Sequence, residues 1–291
     1  MHETIASKQA NGNRETEETF APRITYHRVT LGALTREGHA LAEIVEGDAQ
    51  DGQARRALAV PGGLPGEEVT IAIETFANKP PKRHRRRWKA RPPRVSISEI
   101  HRPSPLRVPA RCPVFGECGG CQLQHMDYAA QLGWKRQVVA DLLREIGRFD
   151  DPPVLEPVAC ANPWNYRNHM RFSVNRDGQP GLTARGSHRV LSLETCPIAH
   201  EQINQALRVL SSVPTARPQL LIRCGAATGQ VLIQPAPNAV VAQQIAEAGL
   251  DLRAETMEEQ LAGVTFHIRP SSFFQTNTEQ AEQMMRMVLQ G

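Results

Sequence analysis

Three cysteines fall within ten residues, in the run Cys112-Pro-Val-Phe-Gly-Glu-Cys118-Gly-Gly-Cys121. This C-x5-C-x2-C spacing lets three thiolates reach one metal centre, and the glycines let the backbone wrap tightly around it. A fourth donor must come from elsewhere. Cys196, in LETCPIAH, is the candidate, because Pro197 follows it as Pro113 follows Cys112. Four cysteine ligands suit either a [4Fe–4S] cluster or a structural zinc. Zinc sites favour two close knuckles of cysteines, and only one pair here is that close. Cys160 and Cys224 have no cysteine near them in sequence and read as small buried residues.

A second kind of chemistry is electrostatic. The run KPPKRHRRRWKARPPR, from Lys79 to Arg94, carries nine Lys or Arg and no acid. Lys82, Arg83, Arg85, Arg86, Arg87 and Lys89 can neutralise phosphates, and Trp88 among them can stack on an unpaired base. Proline at both ends of the run rules out a helix through them. A further polar group, Arg167, Asn168, Arg171, Arg185, His188 and Arg189, offers the side chains that contact phosphates and base edges. The partner these residues predict is RNA. The overall net charge is only +4, so the uneven spread of charge says more than the total.

These groups need elements to hold them. Five short strands, ITYHRVTL, HALAEIVEG, RRALAVPG, EVTIAIE and RVSISEI, precede the cysteines, with Gly32, Gly38, Gly62, Gly63 and Gly66 at the turns. Their number and spacing predict an OB-like β-barrel, with the basic run as a loop between the fourth and fifth strands. A helix from about Asp127 to Ile146 follows the cysteines, capped by Asp127 and stopped by Gly147. Beyond it, strands (NHMRFSVN, RVLSL, QLLIRC, QVLIQ, VTFHI) mix with helices (HEQINQALRVL, VAQQIAEAGL). Thr276 and Glu279 stand at capping-box spacing before a last helix carrying Ala281, Met284, Met285 and Val288 as an apolar stripe. The expected fold class is α+β and multidomain. No stretch is long and apolar enough for a membrane helix, and the polar N-terminus lacks an apolar signal region, which predicts a cytoplasmic protein.

The segment CPVFGECGGCQLQHMDYAAQLGWKRQVV resembles the cluster segment of the bacterial RNA uracil-C5-methyltransferases, of the branch that methylates 23S ribosomal RNA. Four further stretches agree in order. The β domain resembles a TRAM module, NYRNHMRFSV the opening strand of the family's central domain, LSLETCPIAH the segment of its fourth cluster cysteine, and FHIRPSSFFQTNTEQAEQM the start of its methyltransferase domain. The resemblance implies a [4Fe–4S] cluster on Cys112, Cys118, Cys121 and Cys196. It implies S-adenosylmethionine as methyl donor, with Gln275 contacting it and Phe273 close to the target nucleotide. It also implies 23S ribosomal RNA as substrate, with tRNA as the alternative, and a monomer.

The domains expected are a tail (1–23), a TRAM or OB-like RNA-binding domain (24–104), an iron–sulfur segment with its helix (105–150), a mixed α/β central domain (151–262) and the start of a methyltransferase domain (263–291). In the family a cysteine thiolate adds to uracil C6, C5 takes the methyl group, a base removes the C5 proton, and the thiolate leaves. No strand followed by a glycine-rich loop and a helix is found, so the Rossmann-like methyltransferase domain is expected to be largely missing. No catalytic residue is assigned in this chain, which by itself is expected to be inactive. Two rivals stand beside this reading. One is a non-catalytic RNA-binding module. The other, a radical S-adenosylmethionine enzyme with a TRAM domain, is disfavoured because those use C-x3-C-x2-C and leave one iron open.

Overall fold

The computed structural model describes residues 22–46, 54–76 and 92–290. The five N-terminal strands lie where alternation placed them: β1 (Arg23–Thr30), β2 (Ala40–Glu46), β3 (Ala54–Val60), β4 (Glu68–Thr75) and β5 (Arg94–Arg102). Val69, Ile71 and Ile73 of β4 point inward and meet Leu31, Ala42, Ile44, Leu58 and Val60 in one core. Gly63 packs closely here: a Cβ would sit 2.4 Å from Leu31 Cδ1, so any larger residue would push the Leu31 side chain aside.

The backbone pairing of these five strands falls into two parts. Among the described residues the strands form a three-stranded antiparallel sheet, β1-β4-β5, and a separate hairpin, β2-β3. Between β1 and β2 the link is short: Gly32 N–H donates to Leu41 O at 2.7 Å and Leu41 N–H to Ala33 O at 3.0 Å. The two sheets therefore join through side chains and this link rather than through a continuous ladder. The basic run at residues 82–89, with Trp88, lies outside the described residues.

A fully buried carboxylate ties this β body to the segment that leads into the cysteines. Glu67 accepts from Leu64 N–H at 2.9 Å, Ser104 N–H at 3.2 Å and Arg107 Nη2 at 2.8 Å, and Arg107 also donates to Gly62 O at 2.7 Å. Burial pushes the Glu67 carboxyl up, but the bonds from Arg107 and the two amides outweigh it and hold it below the ordinary carboxylate value.

Helix α1 (Tyr128–Glu145) is capped as expected: Asp127 Oδ1 accepts from Ala129 and Ala130 N–H. The central sheet comprises β6 (His169–Val174), β7 (Pro180–Thr183), β8 (Val190–Ser192), β9 (Gln219–Cys224), β10 (Gln230–Gln234) and β11 (Asp251–Arg253), in the order β11-β10-β9-β6-β7-β8. Only β10 and β11 run parallel. Helices α2 (Glu201–Ser211) and α3 (Ala239–Glu247) bury Ile203, Leu207 and Ile245 against Phe172, Ile222 and Val231 of the sheet. A hairpin of β12 (Met257–Leu261) and β13 (Val264–Ile268) packs Met257 and Ile268 on Leu232. The last element is α4 (Thr278–Gln290), whose Ala281 is buried while Met284 and Val288 are exposed. Its start is capped by Asn277, which accepts from Gln280 N–H at 3.0 Å, rather than by Thr276. Among the described residues no helix is long and apolar enough to cross a membrane.

Candidate cysteine cavity and exposed aromatic loop

The turn after Cys112 closes with Phe115 N–H on Cys112 O (3.1 Å) and Cys118 N–H on Val114 O (2.9 Å). Gln124 Oε1 accepts from Cys112 N–H at 3.1 Å, and Gly119 N–H bonds Thr183 O at 3.1 Å, which fastens the loop to the end of β7. Cys196 is fixed from the other side. Buried Asn204 of α2 accepts from Cys196 N–H at 2.8 Å and donates to Cys196 O at 3.2 Å. Cys112, Cys118, Cys121 and Cys196 all line one cavity of about 220 Å³, with Phe115, Met170, Leu182 and Leu193 as its apolar walls. Cys160 and Cys224 are elsewhere: Cys160 Sγ donates to Asn162 O at 3.1 Å, and Cys224 is fully buried in the sheet core, which pushes its thiol far up.

Burial pushes the Cys121 and Cys196 thiols up, and their cysteine neighbours add to it: Cys118 and Cys112 on Cys121, Cys121 and Cys112 on Cys196. Among the described residues no group of three or more His, Cys, Asp or Glu could hold a metal ion. A single zinc needs its thiolates about 2.3 Å from one point. Here the four cysteines are lining residues of one cavity whose other walls are largely apolar. Arg167 stands at the wall with its Nε buried and without a hydrogen-bond partner, and it favours the thiolate of Cys121.

The expected RNA-contacting arginines gather here. Arg167 and Arg171 line the cavity, and Arg185 donates to Cys121 O at 3.1 Å. Exposed Arg189 is paired with Glu117, on the cysteine loop, and His188 is exposed.

The second assembly is the loop PSSFFQTN before α4. Arg223, 1% exposed, sends Nη1 to Arg269 O (3.0 Å), Pro270 O (3.2 Å) and Ser272 O (2.6 Å). Buried Asn168 donates Nδ2 to Gln275 O and to Thr278 Oγ1, both at 2.9 Å, and its N–H bonds Thr276 O at 2.9 Å. Phe274 packs on Phe266 with ring centroids 5.7 Å apart. The loop backbone is thus held from beneath, while Phe273 stands 86% exposed and Gln275 is exposed beside it. Nearby, burial lowers the His169 pKa to about 4, with Arg223, Arg167 and Arg171 adding to it, so the imidazole is neutral at pH 7.

Three supports here were not singled out from the sequence: Arg223, Asn204 and Glu259, whose carboxylate accepts from Thr278 Oγ1 at 2.9 Å. Arg223 carried a signal, as the one charge in the apolar strand QLLIRC. Asn204 sits on the buried side of α2 and Glu259 in a strand, MEEQL, whose three polar residues mimic a surface segment.

No protein-family model matches the chain. It is 29% identical to a protein of Gloeobacter violaceus named an uncharacterized RNA methyltransferase, over 90% of this chain and 64% of that one. A Nostoc protein of the same description is 28% identical over 86% of this chain and 62% of its own length. One from Bacillus anthracis is 34% identical over 55% of this chain and 33% of its own. The chain thus spans between a third and about two thirds of these relatives. Among solved structures, Pyrococcus abyssi tRNA (uracil-54, C5)-methyltransferase, in complex with S-adenosyl-L-homocysteine, superposes with a TM-score of 0.59 at 22% identity. The match covers 90% of this chain and 64% of that one.

That superposition corrects the expected fold class. Nine-tenths of the chain takes the fold of a solved RNA methyltransferase, so the expectation that the methyltransferase fold is largely missing is overturned. The inactivity deduced from that expected absence loses its basis with it.

Proposed function

We propose that the chain serves S-adenosylmethionine-dependent methylation of a uridine at C5 in RNA. The observation that carries this reading is the clamped loop: Asn168 and Arg223 hold its backbone while Phe273 and Gln275 stay exposed. A rigid loop with free aromatic and amide side chains can bind flat, polar ligands without losing much chain freedom. In this reading Gln275 contacts the methyl donor and Phe273 the target nucleotide. The similarity to proteins named RNA methyltransferases supports it.

The four cysteines of the cavity hold a [4Fe–4S] cluster in this reading. With every iron ligated by cysteine, the cluster's part is structural, joining the 112–121 loop to the Cys196 segment. Residues 24–104 act as the RNA-binding domain of TRAM type, with the basic run, Arg167, Arg171 and Arg185 meeting phosphates. The attacking thiolate is not Cys224, which is fully buried with its thiol pushed up. Ribosomal RNA of the 23S kind is the favoured substrate.

The test is methyl transfer from labelled S-adenosylmethionine to unmodified ribosomal RNA and, separately, to unmodified tRNA. Labelled 5-methyluridine after nuclease digestion is the expected product. Label on another base, or protein that neither transfers methyl nor binds S-adenosylhomocysteine, overturns the reading.

A further inference from the structure

Beside the cysteine cavity lies a larger one, of about 720 Å³, bounded by α1, residues 157–166 and the start of α4. The two share Cys121 and Arg167, but the larger cavity contains chemistry that uridine methylation at the Phe273 loop does not use. The Arg111 guanidinium lies 4.6 Å from the centroid of the Trp164 ring. Trp164 packs against the central core and Arg111 is exposed, so the indole is backed by protein and the guanidinium forms the outer layer. A guanidinium held over an indole face is a cationic platform, and unpaired bases stack on guanidinium and aromatic planes. Lys135 of α1 also lines the cavity. The carboxylate on its lining, Asp127, is committed to capping α1. The volume is in the range that encloses a small ligand.

We propose that this cavity holds one unstacked nucleotide of single-stranded RNA, with its base on the Arg111–Trp164 platform and Lys135 serving its phosphate. The inference rests on the RNA-methylation reading and adds a contact separate from the Phe273 loop. Two types of force are involved: the platform supplies stacking, which salt barely alters, and Lys135 supplies a phosphate contact, which salt weakens.

The experiment measures binding of the full chain to single-stranded RNA across a range of salt. Trp164→Ala is expected to weaken binding about tenfold with the salt slope unchanged, and Trp164→Phe to recover most of the loss. Arg111→Lys keeps the charge but loses the plane, so it too should weaken binding at an unchanged slope. Lys135→Gln should flatten the slope by about 0.7. Since Trp164 contacts the core, the exposed Arg111→Lys variant decides the matter if Trp164→Ala does not fold. Wild-type binding with Arg111→Lys equal to it overturns this inference alone. Wild-type protein that binds no RNA overturns both this inference and the RNA-methylation reading.

Discussion

The side-chain amide of Asn168 donates to the backbone carbonyl of Gln275 at 2.9 Å, across 107 residues of chain. The same nitrogen reaches Thr278 Oγ1, so one buried amide sets both the end of the exposed loop and the start of α4. Asn168 stands immediately before β6, and its carbonyl accepts Cys224 N–H at 2.9 Å, which anchors it to β9. The loop that presents Phe273 and Gln275 is therefore registered to the central sheet.

Replacing Asn168 with Ala leaves Gln275 O and Thr278 Oγ1 without this donor. The expected loss is about 1 kcal/mol of stability, read by urea denaturation, because two part-buried acceptors lose their donor. Affinity for S-adenosylhomocysteine, measured by calorimetry, should fall as well. A variant with unchanged stability and unchanged affinity would show that the loop is set by other contacts.

Arg223→Met removes a buried cation that serves three carbonyls. Met keeps the apolar stem but removes the guanidinium, so the cost lies in the stranded acceptors, at about 1–3 kcal/mol each before any relaxation. The measurement is the shift of the denaturation midpoint, together with faster proteolysis at residues 269–273. Unaltered proteolysis there would contradict the clamp.

Cys196→Ser should abolish bound iron and sulfide in anaerobically prepared protein, whereas Cys160→Ser should leave them unchanged, since Cys160 is not on the cavity wall. Asn204→Ala should lower iron content without removing a ligand, because Cys196 then loses its two hydrogen bonds with Asn204. Stoichiometric zinc in place of iron would refute the cluster.

Acid should loosen the junction after the first β body. The Glu67 carboxyl is held below its ordinary value, so its contribution to stability is complete above the unfolded carboxylate's pKa. It is lost as pH falls through the lower folded value. Denaturation midpoints taken at pH 7, 5 and 3 should decline in the wild type. The decline should be shallower in Glu67→Gln, which starts less stable at pH 7. Parallel curves would place the acid sensitivity elsewhere.

The strands β1 to β6, β8, β9, β10 and β13 were legible because each is a short apolar or alternating run. So was the convergence of Cys112, Cys118 and Cys121, which spacing alone forces. That Cys196 joins them depends on fold between positions 75 apart (121 to 196), and in the sequence only the shared Cys-Pro pattern and the resemblance pointed to it. The strand β11 is three residues long and β12 carries two glutamates, so neither has an apolar period to read. Which strand edges pair was not legible: five strands of suitable length do not fix it, and the link at residues 31–39 carries the chain from the β1-β4-β5 sheet into the β2-β3 hairpin. The platform of Arg111 and Trp164 joins residues 53 apart and has no local signature (111 to 164).

Glu259, fully buried on β12, accepts from Ala226 and Ala227 N–H at 2.8 and 3.0 Å and from Thr278 Oγ1 at 2.9 Å. One carboxylate therefore fastens the β9–β10 turn, the β12–β13 hairpin and the first turn of α4. None of the three can lift away without leaving that charge unsolvated among the other two, so local opening is all or nothing. Their amide protons should accordingly exchange with solvent at one shared rate, as a single cooperative block, rather than fraying in sequence from the loop outward.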